Sequence, residues 1–170
     1  RGVAAVTWPC DGVDLWGHVP LEGLGLSFVN DMWGWTDPAT GRDYALVGGI
    51  EGTTFVDVSD RKRPEVVGML PAHTLDPDFP FWRDLKVHAD HVYVVSEAED
   101  HGMQVFDLTR LRDVGGDGPV QFDEDGHLAW DGGWAHNVAV NEDTGFAYVV
   151  GSAMCDGGLF MVDLAAPSTP

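Results

Sequence analysis

The chain has 170 residues, a length that suits one domain with a core of ordinary size. It carries 9 Lys and Arg residues against 28 Asp and Glu residues, which gives a formal net charge of −19. A surface of this sign repels nucleic acid and anionic membranes, so neither is an expected partner. Hydrophobic residues make up 44% of the chain, too many for a disordered acidic protein, and no apolar run reaches the ~20 residues of a membrane span.

Three sequence features recur three times along the chain in the same order. Each repeat begins with a polar pair, and these pairs are spaced 53 residues apart, from 30 to 83 and from 83 to 136. A run rich in β-branched and aromatic residues follows, and then a Gly that stands five residues before an Asp in an apolar strand. The runs are residues 44–49, 92–97 and 147–152; the Gly and Asp pairs are Gly52 and Asp57, Gly102 and Asp107, and Gly158 and Asp163.

Each repeat predicts at least three strands: one after the polar pair, one over the β-rich run and one ending at the Asp. Fourth strands are predicted at residues 65–70 and near 120–122. Turns that end on Gly41 and Gly145 connect the first two strands of the outer repeats, because Gly supplies a positive φ where the chain reverses. The middle repeat turns more tightly around residues 89–90. No helix is predicted beyond a single turn at residues 109–113.

Four antiparallel strands in a ~50-residue repeat are typical of propeller blades. The predicted fold class is therefore all-β: a β-propeller of four-stranded antiparallel blades, incomplete, with about three blades of a larger ring. The structural alternative is an antiparallel sandwich, although a sandwich needs no regular period. We expect an N-terminal segment at 1–29 that completes or flanks a blade, then blades at 30–80, 81–130 and 131–170, the third truncated before its last strand.

Several longer phrases resemble the choice-of-anchor B family, bacterial proteins built from LVIVD repeats. These are NDMWGWTDP at 30–38, YALVG at 44–48, WRDLKV at 82–87, HGMQVFDLTRL at 101–111 and AHNV at 135–138. The resemblance covers the chain from about Trp8 to its last residue. It implies an exported or cell-surface β-propeller without a well-established activity, and it implies that the remaining blades of the propeller are partners of this chain.

The repeat alignment predicts a binding site at the mouth of the central channel, where the first strands of propeller blades begin. Six residues should ring this mouth: Asn30, Asp31, Arg83, Asp84, His136 and Asn137. No cofactor is specified, but these side chains suit a polar ligand or a divalent metal. The candidate metal ligands are Asp31, Asp84, His101 and His136. In the alternative interpretation, such Asp and Asn side chains bond neighbouring backbone groups and fasten adjacent blades together.

Other polar and aromatic residues receive structural interpretations. Carboxylates at Glu97, Glu99 and Asp100 should raise the pKa of His101 or make a cation site with it, unless this is a solvated acidic loop. Asp57, Asp107 and Asp163 are expected to make hydrogen bonds between blades. Five tryptophans are expected to pack between blades, with a sugar-binding platform as the alternative: Trp33, Trp35, Trp82, Trp130 and Trp134. The segment 123–126 is predicted to be a turn.

The two cysteines, Cys10 and Cys155, are the disulfide candidates, since a disulfide is natural in an exported protein. They could pair with each other or with cysteines outside this chain. The resemblance, rather than the cysteines, indicates an extracellular or cell-surface location.

Two classes of function remain open. The first is a non-enzymatic binding scaffold for a protein or glycan partner at the propeller face. The second is a metal-dependent hydrolase or oxidase with its site at the channel mouth. The sequence favours the scaffold, because no complete catalytic set is visible and the fold alone cannot decide.

Overall fold

The computed structural model describes residues 12–75, 82–114, 116 and 118–170. The protein is all-β, with 45% strand and 9% helix. Within the described residues the strands form three sheets, none of them closed, and every neighbouring pair but one is antiparallel.

Sheet 1 has the order β1 (Val29–Thr36), β2 (Asp43–Gly49), β3 (Gly52–Asp57), β4 (Glu65–Pro71) and β8 (Val120–Gln121). Sheet 2 has the order β5 (Arg83–His88), β6 (His91–Ser96), β7 (Met103–Asp107) and β9 (Gly126–Leu128). Sheet 3 has the order β10 (Ala135–Asn141), β11 (Phe146–Ser152) and β12 (Phe160–Asp163). Among the described residues the helices are short: α1 (Leu21–Leu24) and two 3₁₀ turns at Leu108–Asp113 and Met154–Gly157.

The predicted first, second and third strands of every repeat are confirmed, as is the predicted fourth strand at 65–70. The strand predicted near 120–122 is present as Val120–Gln121, but it is not the fourth strand of the second repeat. Val120–Gln121 pairs in parallel with β4 of sheet 1, and the fourth strand of sheet 2 is the short β9. Burial decides this outcome, because Phe122 packs against both Phe55 and Phe106 and so joins sheets 1 and 2.

Helix α1 was not predicted. It is a single turn, preceded by Pro20 in an extended conformation and ended by Gly25, whose φ of 70° lies in the left-handed region. The N-terminal segment reaches β1 at Val29, and its described residues before that add no strand to sheet 1 but contact it. Ser27 donates its backbone N–H to the Glu51 carboxylate, and Thr54 donates its hydroxyl to the carbonyl of Leu24.

The tight turn of the middle repeat is confirmed. A two-residue loop, Ala89 and Asp90, joins β5 to β6, and their φ values are 46° and 60°. A two-residue hairpin with both φ angles positive matches the right-handed twist of the strands. Asp90 also accepts a hydrogen bond at 3.1 Å from the indole N–H of Trp35 in sheet 1.

Sheet 2 lies between the other two sheets and is buried on both faces. Val92 and Val94 point into a core shared with sheet 1, whereas Tyr93 and Val95 point into a core shared with sheet 3. All four are fully buried, which explains why β6 reads as a continuous apolar run rather than as an alternation.

The repeated Asp at the end of each third strand makes a local turn, so the expectation of hydrogen bonds between blades is wrong for these contacts. Asp57, Asp107 and Asp163 each accept a hydrogen bond at 2.9 Å from the backbone N–H two residues later. This geometry is an Asx turn, which ends the strand with the residue's own side chain. Its recurrence supports the sequence alignment of the three repeats.

Candidate functional site

The first strands of the three sheets lie side by side, with β5 between β1 and β10. A cavity of about 520 Å³ opens where they meet. All six residues predicted for the channel mouth line it, together with Trp82, Lys86 and Tyr148: they are Asn30, Asp31, Arg83, Asp84, His136 and Asn137. The structure therefore brings the predicted site residues together, although their side chains play different roles.

Asn30 fastens sheet 1 to sheet 2. Its Nδ2 donates to the carbonyl oxygen of Arg83 at 2.7 Å, and its Oδ1 accepts from the Arg83 backbone N–H at 3.2 Å. The same 53-residue offset recurs between sheets 2 and 3, where Asn137 donates to Asp84 at 3.1 Å. Both contacts match the fastening role that was the alternative to a ligand site.

Asp84 accepts hydrogen bonds from four donors. Its Oδ2 accepts from Asn137 Nδ2 and from the Val138 backbone N–H at 2.8 Å, and its Oδ1 accepts from the Leu85 N–H at 2.8 Å and from Lys86 Nζ at 2.5 Å. Burial by itself would raise the pKa of Asp84, but the hydrogen bonds outweigh it, so the net pKa is lowered.

Asp31 is the carboxyl partner of Asp84 in the cavity. Burial, followed by the hydrogen bond with Asp84, raises the pKa of Asp31. Lys86 Nζ stands 3.7 Å from Asp31 Oδ2 and contacts both carboxyl groups, which reduces their mutual repulsion. With the pKa of Asp31 raised and that of Asp84 lowered, Asp84 is the more readily ionised of the two carboxyl groups.

The Arg83 side chain leaves the cavity and enters the space between sheets 1 and 2. Its guanidinium donates to the carbonyl oxygen of Gly49 at 2.9 Å and to Nε2 of His101 at 2.7 Å. Burial lowers the pKa of Arg83 to about 10. The expectation that this side chain faces the channel mouth with the others is therefore wrong for its charged end.

His101 is fully buried, so the expectations of a cation site or a solvated acidic loop at this residue are wrong. Burial, and then the charge of Arg83, lower the pKa of His101 to about 3, whereas the neighbouring carboxylates were expected to raise it. Glu99 and Asp100 are exposed, and Glu97 is bonded to His136. The imidazole is held neutral, with Nδ1 donating to the Gly102 carbonyl at 3.0 Å.

His136 stands at the exposed edge of the cavity and pairs with Glu97, with 2.5 Å between Nδ1 and Oε1. Its ring lies 5.9 Å from that of Trp82, which is 46% exposed. This edge combines an aromatic surface with a histidine–carboxylate hydrogen bond that solvent can reach.

The four candidate metal ligands do not converge. Asp31 contacts Asp84, but His101 is bonded to Arg83 and His136 to Glu97. In the described part of the chain, the one group of three His, Cys or acidic side chains within coordinating reach is elsewhere: His73, Glu124 and His127. Sequence reasoning missed this group, since residues 123–126 were interpreted as a turn only. The spacing of its two histidines, 54 residues from 73 to 127, is close to the repeat period and could have indicated it.

The disulfide prediction stays untested. Cys155 is exposed and carries a free thiol, and Cys10 lies outside the described residues. In the part of the chain that the structure describes, no helix is long and apolar enough to cross a membrane.

Comparison of the chain with protein-family models, with curated proteins and with solved structures found no match to any of them.

Proposed function

We propose that the chain is part of an exported, LVIVD-repeat β-propeller of the choice-of-anchor B type, which acts as a binding scaffold at the cavity between β1, β5 and β10. The cavity, of about 520 Å³, presents amide, carboxylate and ammonium groups beside the exposed ring of Trp82. Polar groups beside an aromatic face suit an oligosaccharide or a polar segment of a protein partner.

The observation that carries this proposal is that most charged groups of the cavity are bonded to each other or to the backbone, although Oδ2 of Asp31 is buried without a hydrogen-bond partner. Asp84 has four donors, the Arg83 guanidinium is bonded between the sheets, and His136 is paired with Glu97. A hydrolase or oxidase would need an activated nucleophile or a convergent ligand set here. The described residues of the cavity offer neither, which favours binding over catalysis.

Three observations support the propeller itself. The sheets repeat the same strand order, their first strands lie side by side, and hydrogen bonds of the same 53-residue offset link neighbouring sheets. Exposed apolar side chains on the outer sheets, Met32 at 56% and Met161 at 62%, are consistent with further blades that would cover them.

The proposal is tested by screening the chain on an array of oligosaccharides and measuring the affinity of any hit by titration calorimetry. We expect Trp82→Ala to abolish detectable binding, because it removes the aromatic face of the cavity. Trp16→Ala is the matched control, since Trp16 is also exposed, at 55% against 46% for Trp82, but does not line this cavity. The control should bind as the parent chain does.

Two outcomes would contradict the proposal. Equal loss of affinity in Trp16→Ala and Trp82→Ala would place the ligand elsewhere. Cleavage or oxidation of the bound oligosaccharide would favour the enzyme over the scaffold. If no sugar binds, a pull-down with the parent chain and Trp82→Ala as paired baits decides whether the partner is a protein.

A further inference from the structure

The group His73, Glu124 and His127 lies between the outer edges of sheets 1 and 2. His73 follows β4 by two residues, Glu124 lies between β8 and β9, and His127 is within β9. β9 is the outermost strand of sheet 2, and the short β8 pairs with β4 at the outer edge of sheet 1. The three side chains therefore come from different elements of the fold. In each sheet these elements lie at the opposite end of the strand order from the first strands, β1 and β5, which line the cavity.

Their donor atoms are already within reach of one another. Nδ1 of His73 is 3.0 Å from one carboxylate oxygen of Glu124 and 3.2 Å from the other. The rings of His73 and His127 are stacked with centroids 3.7 Å apart, and one ligand atom from each of the three residues falls within 4.8 Å of the others. Ligands at 2.0–2.2 Å from a tetrahedral Zn²⁺ are about 3.3–3.6 Å apart. The stacked rings lie at 9° to each other, so they must tilt apart before the in-plane lone pairs of both can point at one ion.

A second layer of hydrogen bonds orients two of the three side chains. Nε2 of His127 donates to the backbone carbonyl of His101 at 2.7 Å, which leaves Nδ1 of His127 with its lone pair. Gln104 donates from Nε2 to Glu124 Oε2 at 2.9 Å and to the Pro71 carbonyl at 3.0 Å. Gln104 is only 2% exposed, so it is a fixed support rather than a surface contact. Histidine ligands that donate to a carbonyl and carboxylate ligands that accept a hydrogen bond are the usual outer layer of metal sites.

A surface ion pair between His73 and Glu124 is the simpler interpretation, but it leaves features unexplained. Such a pair needs neither a second imidazole stacked on the first nor a buried amide holding the carboxylate. The net charge of −19 also raises the local concentration of cations around the chain.

We propose that His73, Glu124 and His127 bind one Zn²⁺ ion. Two imidazole nitrogens and one carboxylate oxygen are a donor set of borderline softness, which suits Zn²⁺ rather than Mg²⁺ or Ca²⁺. The ion takes the place of the proton between His73 and Glu124. Because His73 and Glu124 are partly exposed, with 32% and 27% of their side chains accessible, a fourth position is open to solvent. The ion links the edge of sheet 1 to that of sheet 2, and this site does not depend on the proposed function of the cavity.

The test is titration calorimetry of the full chain with ZnCl₂ after dialysis against a chelator, followed by MgCl₂ as the comparison ion. We expect one Zn²⁺ per chain and no saturable binding of Mg²⁺. Glu124→Gln and His127→Gln should each weaken Zn²⁺ binding by more than the about 10–100-fold that is typical of losing an outer-layer partner, and Gln104→Leu should fall within that range. His18→Gln, which removes an exposed imidazole outside the group, should leave the affinity unchanged.

Circular dichroism establishes that each variant is folded. If the variants at Glu124, His127 or Gln104 unfold, metal binding is tested with His73→Gln, which lies at the exposed edge, and with the visible spectrum of the Co²⁺-loaded parent chain. The parent chain should show the intense bands of a four- or five-coordinate Co²⁺ ion, and His73→Gln should lose them. Absence of saturable Zn²⁺ binding, or equal affinity in the parent chain and the ligand variants, would overturn the proposal.

Discussion

Arg83 donates a hydrogen bond from its guanidinium to Nε2 of His101 at 2.7 Å, and both side chains are buried between sheets 1 and 2. The contact requires a neutral imidazole, since a protonated Nε2 cannot accept. A permanent positive charge and a histidine thus share one buried site, and the histidine carries no charge.

This pair predicts a loss of stability on acidification. The pKa of His101 is lowered to about 3 in the folded chain, from an ordinary value of 6.5. The unfolded chain therefore binds the extra proton between these two values, and stability falls as pH decreases from about 6.5 toward about 3. We expect His101→Gln to be less stable than the parent chain at pH 7. Between pH 6.5 and 5 its stability should decline less steeply, by up to about 1.4 kcal/mol per pH unit. Urea unfolding at each pH measures this, and parallel slopes would show that His101 is not held neutral.

The two carboxyl groups of the cavity predict opposite responses to the same substitution. Asp84→Asn replaces an acceptor of four hydrogen bonds by a group with one acceptor oxygen. The NH₂ group of the asparagine then faces donors that now bond to an Asp84 oxygen. We expect a loss of about 2–3 kcal/mol in the free energy of unfolding at pH 7.

Asp31→Asn is the matched variant. The substitution removes a like charge beside Asp84, and the asparagine amide can donate to the Asp84 carboxylate, so stability at pH 7 should change by less than about 0.5 kcal/mol or increase. The raised pKa of Asp31 makes the folded parent chain gain stability from this group as pH falls through that pKa, and the variant should lack this gain. Urea unfolding of both variants from pH 4 to 7 tests the pair; equal losses would show that the two carboxyls are equivalent.

Asn30→Ala should destabilise the contact between sheets 1 and 2. It leaves the backbone N–H and carbonyl of Arg83 without their partner, at a cost of about 1–3 kcal/mol. Asn30→Asp keeps the acceptor and loses the donor, so its loss should be intermediate. Thermal unfolding orders the three chains, and hydrogen exchange at the Arg83 amide should quicken in Asn30→Ala. An unchanged exchange rate would mean that water replaces the side chain without cost.

The β5–β6 turn predicts a stabilising substitution. Ala89 has a φ of 46°, where a Cβ atom costs roughly 1–2 kcal/mol, whereas glycine adopts this conformation freely. Glycine also loses more conformational entropy on folding, which offsets part of this relief. Ala89→Gly should therefore raise the free energy of unfolding by about 0.5–1 kcal/mol. Ala45→Gly, within strand β2, is the control and should lose a similar amount. Urea unfolding of both variants measures the difference, and a loss in Ala89→Gly would show that the turn is not strained.

Repetition made much of the fold predictable. The 53-residue spacing of the polar pairs and the Gly–Asp spacing gave the order of the strands, because each repeat must bury the same faces. The same spacing placed Asn30, Asp84 and Asn137 together. The spacing did not indicate the direction in which each side chain points. Arg83 and Asp84 are neighbours in a strand, so their side chains leave opposite faces, and only Asp84 can remain in the cavity.

The amino-acid sequence by itself determined that the chain is all-β and repetitive, because alternation, turn glycines and spacing are local properties. Only the tertiary structure decided the charge state of His101, which depends on burial beside an arginine 18 residues away. It also decided that Val120–Gln121 pairs with β4 and that His73 meets Glu124, a contact over 51 residues. These outcomes depend on how two sheets pack. The solvent exposure of a side chain and its contacts with distant residues are set only when the sheets have packed together.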